Sequence, residues 1–179
     1  NFVESHVNLI KKTLKNIENK NFKLLFSAHG LPEIKIKKGD PYQWQVEESV
    51  NAIMSKLKDE NLDYVISYQS RVGPLKWIGP STDAEIIKYS KEKKGLVIVP
   101  IAFVSEHSET LVELDIEYKK LAEKNGCSFY KRVPALGVDD SFIKGLATLV
   151  LQKETRGNFV SSTKCPNKFS KCPCLEVKI

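Results

Sequence analysis

The sequence predicts an α/β domain of three layers, built on a parallel four-stranded sheet and followed by a C-terminal cysteine-containing tail. Three observations predict it. Segments with helical hydrophobic spacing alternate with short apolar runs over residues 1–152, and strands that alternate with helices form a parallel sheet with right-handed crossovers. Leu96, Val97, Ile98 and Val99 run without polar alternation, as in a strand covered on both faces. From residue 153 the periodicity stops, and three of the four cysteines lie beyond it. The expected organisation is one domain over 1–152 and a tail over 153–179.

The elements follow in order. Val3, Val7, Ile10, Leu14 and Ile17 recur at steps of four and three, the mark of a helix with one buried face. Residues 23–28 read as a buried strand ending at Ser27-Ala28-His29-Gly30. Asp40 and Pro41 suit the N-cap and first residue of a helix whose face is Val46, Val50, Ile53 and Leu57. Residues 64–68 read as a second strand. Thr82 with Glu85 forms a capping box for a helix through Ile86 and Tyr89. Residues 95–103 are the third strand. Ser105 caps the next helix, with its stripe at Leu111, Leu114, Tyr118 and Leu121, and residues 128–133 are the fourth strand. Asp139 or Asp140 caps a last helix carrying Phe142, Leu146, Leu149 and Val150.

Composition narrows the class. With 179 residues, 41% hydrophobic and 28% charged, the chain is one globular domain in size and balance. No run approaches the roughly 18 apolar residues of a spanning helix. Four cysteines are too few for a secreted disulfide scaffold. The chain opens on Asn1 and its single methionine is Met54, so a fragment or processed chain is expected, whose site is half of a larger one. The net charge is +6, but the lysines are scattered and only Arg71, Arg132 and Arg156 are arginines, which argues against a nucleic-acid surface.

In parallel α/β sheets ligands bind beyond the carboxyl ends of the strands, which selects three loops: 28–39, 69–80 and 104–109. In the first, His29 is either a proton shuttle or metal ligand, or a loop histidine bonded to a backbone carbonyl. The second carries two Gly-Pro steps around Trp77, which is either a flat wall for a planar ligand or a lid on the core. No glycine-rich phosphate loop follows any strand. The third holds Glu106, His107 and Glu109 and runs on to Glu113 and Glu117. On an α-helix these four glutamates span an arc of about 80° and stack like charges at i,i+4, each pair costing roughly 0.2–0.5 kcal/mol. A cation would relieve that repulsion, so the stripe reads as a metal path or site. The competing reading is an acidic helix N-terminus, which accounts for Glu106 and Glu109 but not for Glu113 and Glu117.

At this point several motifs coincide. Phe26-Ser-Ala-His-Gly-Leu-Pro32, Gly39-Asp-Pro-Tyr42, Tyr68-Gln-Ser-Arg-Val-Gly-Pro74, Trp77-Ile-Gly-Pro80, and Val99-Pro-Ile-Ala-Phe103 with the acidic run Glu106 to Tyr118 stand in one order. Over residues 1–152 the chain resembles the C-terminal half of ferrochelatases, which insert ferrous iron into protoporphyrin IX. The resemblance implies a chelatase-like domain with Fe(II) and protoporphyrin IX as substrates. It implies His29 as the active-site histidine and proton acceptor, and Glu109 as the acid facing it across the porphyrin plane, the two together offering ligands to iron. It makes His107 part of the same catalytic motif, and Glu106, Glu113 and Glu117 an iron or proton conduit. Trp77, Gln69 and Ser70 are implied to contact porphyrin. The partner implied is the N-terminal half of the same enzyme, together with peripheral membrane association. The setting implied is the bacterial cytoplasm, or the mitochondrial matrix in a eukaryote.

Cys165, Cys172 and Cys174 lie within ten residues, a density that favours metal over disulfide in a reducing compartment. Their spacing resembles that of cluster-bearing bacterial ferrochelatases. This implies a [2Fe–2S] cluster in the full-length protein, with its fourth ligand outside this chain. Cys127 reads as a structural thiol. Two other readings stand beside the enzyme: a coproporphyrin-specific relative, and a non-catalytic metal- or haem-binding half-domain.

Overall fold

The structure, a computed structural model, describes residues 1–58, 61–156 and 165–172. In chain order the elements are α1 (Phe2–Leu14), β1 (Phe22–His29), α2 (Glu33–Lys37), α3 (Tyr42–Lys56), β2 (Tyr64–Gln69), α4 (Thr82–Lys91) and β3 (Gly95–Pro100). A π-helical segment (Glu109–Tyr118), α5 (Lys119–Lys124), β4 (Tyr130–Arg132) and α6 (Asp140–Arg156) follow. The strands form one sheet in the order β2-β1-β3-β4, and every pairing is parallel, as the alternation of strands and helices predicts.

Side chains on a strand alternate between faces, and here the alternation sorts two cores. Leu24, Phe26, Ala28, Val97 and Val99 pack with Val7, Ile10, Val46, Val50 and Ile53 of α1 and α3. Leu25, Leu96 and Ile98 pack with Ile86, Tyr89, Leu114 and Ala122 on the other face. These helix residues are those of the stripes read in the sequence, except that Ala122 takes the core place expected of Leu121, which is only partly buried beside it. α6 lies outside the sheet layers, against α1.

After β1 the chain turns towards one face and after β3 towards the other. The adjacent carboxyl ends of β1 and β3 are therefore the switch point where a crevice opens. Register sets His29 beside Gln69, and Ser27 beside Ser67 and Pro100. Ser27 and His29 share a face of β1, as Ser67 and Gln69 do on β2, and that face is the one the π segment covers.

Several boundaries differ from expectation. α2 interrupts the first loop. The N-cap of α3 is Pro41; Asp40 instead accepts the Tyr42 amide at 2.9 Å. Thr82 is not a cap, because its hydroxyl is buried among Ser27 and Ser67; Ser81 holds that place. β3 ends at Pro100, and the helix expected from Ser105 begins three residues later, leaving Glu106 and His107 ahead of it. It winds as a π-helix, in which i and i+5 stack, so Leu111 is exposed while Leu114 is buried. Among the described residues no helix is long and apolar enough to cross a membrane.

Candidate active site

His29 ends β1, where Tyr42 Oη donates to its carbonyl at 2.9 Å. Burial pushes that phenol up to about 12, so it stays a donor near neutral pH. The imidazole is half-exposed. Its Nδ1 lies 2.8 Å from the Gly30 carbonyl, which only accepts, so Nδ1 carries a proton. The loop reading and the shuttle reading of this histidine are thus compatible: one nitrogen is tied down and Nε2 is left for chemistry. Nε2 lies 3.1 Å from Glu109 Oε1 at the start of the π segment. In a neutral ring both atoms are acceptors, so the contact is favourable when a proton or a cation lies between them.

That distance corrects one expectation. No macrocycle fits between His29 and Glu109; they stand side by side on one wall and do not face each other across a ring. Gly30 shapes the same corner. A Cβ there would lie 2.9 Å from the Gln69 carbonyl and 3.3 Å from the Trp77 ring.

His107 joins the pair through its Nδ1, which is 3.2 Å from the Glu109 amide and 3.3 Å from Glu109 Oε2. The lone pair of a neutral Nδ1 takes the amide, and a protonated Nδ1 gives to the carboxylate; it does one or the other. Phe103 stands edge-on to both imidazoles, at centroid distances of 6.4 Å and 5.0 Å.

The acidic stripe is divided. Glu106 accepts Arg132 Nη1 at 3.0 Å and the Ala135 amide at 3.0 Å. Burial raises its carboxyl, but these donors and Thr110 outweigh that and hold it below the usual range. Arg132 also grips Asp115 with Nε at 2.6 Å and Nη2 at 2.8 Å, joining β4 to the π segment. Glu113 turns to β2, where it accepts Gln69 Nε2 at 2.8 Å, the Ser70 amide at 2.9 Å and Ser70 Oγ at 2.6 Å. Tyr118 Oη, five residues on, donates to it at 3.0 Å. Burial and the Glu113 charge both push the Tyr118 phenol up. Glu117 is exposed. Among the described residues, no three histidine, cysteine, aspartate or glutamate side chains are arranged to hold a metal ion. A stripe of four read on α-helical geometry therefore becomes, on a π-helix preceded by a turn, one acid at His29, two acids with partners of their own and one exposed acid.

Trp77, Ser70, Arg71, Asp83, Glu113 and Tyr118 line an open cavity of about 560 Å³. Gln69 lines it too, and His29, the register neighbour of Gln69, does not. Trp77 lies partly in that cavity and partly against the chain, with Pro32 bridged to it and its Nε1 buried without a hydrogen-bond partner among the described residues. Gln69 is 1% exposed and its amide is engaged within the chain.

A family model described as Ferrochelatase matches residues 1–154. The chain belongs to the ferrochelatase family. It is 59% identical to the ferrochelatase of Pelagibacter ubique over 179 residues, 98% of this chain and 52% of that protein. It is 52% identical to that of Rickettsia felis and 51% identical to that of Rickettsia typhi, in each case over 97% of this chain and 52% and 51% of the relative. The chain spans about half the length of the curated ferrochelatases it matches.

The cysteine tail is described in part. Cys165 and Cys172 are buried with Phe169 against Trp44, and Gln45 Nε2 donates to Cys165 Sγ at 3.4 Å. Cys174 lies outside the described residues. Among the described residues, Cys165 and Cys172 are thus the two expected cluster cysteines in place, both at one flank of α3, and no step is assigned to such a cluster. Sequence reasoning missed the Ser27, Ser67 and Thr82 hydroxyls. Polar residues two apart at the carboxyl ends of apolar strands were the signal available for the two serines.

Proposed function

We propose that the enzyme containing this chain inserts Fe(II) into protoporphyrin IX, releasing two protons. The observation that carries the reading is the His29–Glu109 pair at the switch point of a ferrochelatase-family sheet. Insertion needs a base for the pyrrole N–H protons and weak ligands that surrender iron. With Nδ1–H committed to the Gly30 carbonyl, Nε2 of His29 accepts one proton, and Glu109 stabilises the imidazolium that forms. His107 exchanges its amide bond for a bond to Glu109 when it too is protonated, giving the second proton a place to leave by. Nitrogen and carboxylate oxygen are ligands that ferrous iron takes and gives up. Trp77 and the cavity beside it offer a flat wall to the porphyrin, and the remaining half of the enzyme supplies the opposite wall.

The test is insertion of Fe(II) or Zn(II) into protoporphyrin, followed by loss of free-base fluorescence, for the full-length enzyme and its His29→Ala variant. The expected result is activity in the first and a loss of at least about a hundredfold in the second. Faster turnover of coproporphyrin would move the substrate to that relative. A full-length protein inactive with every metal and porphyrin would overturn the enzymatic reading in favour of a binding half-domain.

A further inference from the structure

Beneath His29 and Glu109 runs a line of buried hydroxyls that the proposed reaction does not use. Ser27, Ser67 and Thr82 are each 0% exposed. Ser27 Oγ donates to Gln69 Oε1 at 2.7 Å, and Thr82 Oγ1 lies 2.9 Å from both Ser27 Oγ and Ser67 Oγ. Each hydroxyl has one proton to give. Ser27 gives its own to Gln69, so its contact with Thr82 is a bond only when Thr82 donates. Thr82 must then accept from Ser67, whose other acceptor, the Phe26 carbonyl, is a long 3.4 Å away. The bonds run one way, from Ser67 through Thr82 and Ser27 to Gln69.

At the far end, Gln69 Nε2 donates to Glu113 Oε2 at 2.8 Å and to the Glu109 carbonyl at 3.2 Å. A flipped amide would set its oxygen against two acceptors, so the orientation is fixed from both sides. Gln69 is also the register neighbour of His29. One buried amide therefore ties the strand pair that bears the histidine to the turn that bears the acid.

We infer that Gln69 is a positioning residue: the Ser67–Thr82–Ser27 relay holds its amide, and the amide holds the π segment where Glu109 reaches His29. Gln69 also lines the cavity beside Trp77, so this role stands beside the porphyrin contact that the resemblance implied for it. The relay acts through Glu109 and touches no reacting atom.

The test compares Thr82→Val, which keeps the side chain's shape and removes its hydroxyl, with Thr82→Ser, which keeps the hydroxyl. Both are measured in the full-length enzyme by steady-state metal insertion and by amide hydrogen exchange over residues 109–118. In Thr82→Val, kcat is expected to fall between about tenfold and about a hundredfold, the scale of a small misplacement, with the porphyrin KM within about twofold. Exchange over 109–118 is expected to rise at least about tenfold while residues 22–29 stay protected. Thr82→Ser is expected to stay within about threefold of the parent in kcat. Should Thr82→Val fail to fold, Ser27→Ala removes the donor to Gln69 and is expected to give the same pattern. A folded Thr82→Val with parental kcat and parental exchange overturns the inference, as does a Thr82→Ser no better than Thr82→Val. Only the kinetic arm rests on the chelatase reading. An inactive parent enzyme refutes that reading, and the exchange arm still decides this one.

Discussion

His6 shows what one buried residue does to stability. It is 1% exposed on α1, edge-on to Phe2 at 4.7 Å, and neither ring nitrogen has a hydrogen-bond partner among the described residues. Burial disfavours the charged ring and lowers its pKa from 6.5 to about 4. Because the folded value lies below the unfolded one, the unfolded chain binds the proton first as pH falls. The contribution is therefore whole above about pH 6.5 and is lost between there and about pH 4, amounting to about 3 kcal/mol. Urea unfolding of the parent and His6→Leu chains from pH 7.5 to 4.5 measures it. The parent should lose about 2–3 kcal/mol more than the variant over that interval, and parallel curves would refute the assignment. Its burial was legible from helical spacing, since position 6 adjoins the Val3–Val7–Ile10 stripe. Its lack of a partner was not, because that depends on which atoms the fold brings to it.

Among the elements, the π segment is where sequence and structure part. The spacing of Glu109, Glu113 and Glu117 specifies a face only once a winding is assumed, and the α-helical assumption puts them together. What selects the wider winding is tertiary: Glu113 has donors on β2, and Tyr118 reaches it only when i and i+5 stack. Such partners lie 43 and 44 residues away in sequence and have no local signature. The strands, by contrast, were legible because apolar runs such as Leu96–Val99 need no partner's identity. Glu113→Gln tests the anchor. Either orientation of the new amide sets its NH2 against an N–H that cannot turn away, that of Gln69 or that of Ser70. The variant should lose about 1–3 kcal/mol in thermal or chemical unfolding, the cost of opposed donors in a half-buried site. Glu117→Gln, on the exposed side of the same segment, should stay within about 0.5 kcal/mol of the parent. Equal losses at both positions would mean that charge on the segment matters and the β2 anchor does not.

At the scale of the molecule, both faces of the sheet are covered without α6, which packs on α1 outside the sheet layers. Its apolar residues therefore have nowhere inward to go. Ile143, Leu146, Leu149, Val150 and Leu151 are between 42% and 61% exposed, and Phe2, Phe142 and Leu146 line an open hollow of about 410 Å³. The hydrophobic period of α6 was legible as a helix with a face to bury. Periodicity says that a face needs covering and is silent on what covers it, so the sequence reading of a buried stripe holds here only in part. An apolar strip of this kind on a chain half the length of its relatives predicts how the 179-residue chain behaves alone. It should bind an apolar dye and self-associate with rising concentration. Leu146→Glu combined with Leu149→Lys should reduce both, because charge on an exposed strip costs association and little else. Unfolding stability should change by no more than about 0.5 kcal/mol per site, since neither side chain lies in either core of the sheet. Dye fluorescence and sedimentation across a concentration series read the first effect, and a thermal melt reads the second. A double variant that unfolds outright would place these residues in the domain's own core and remove the strip from the surface.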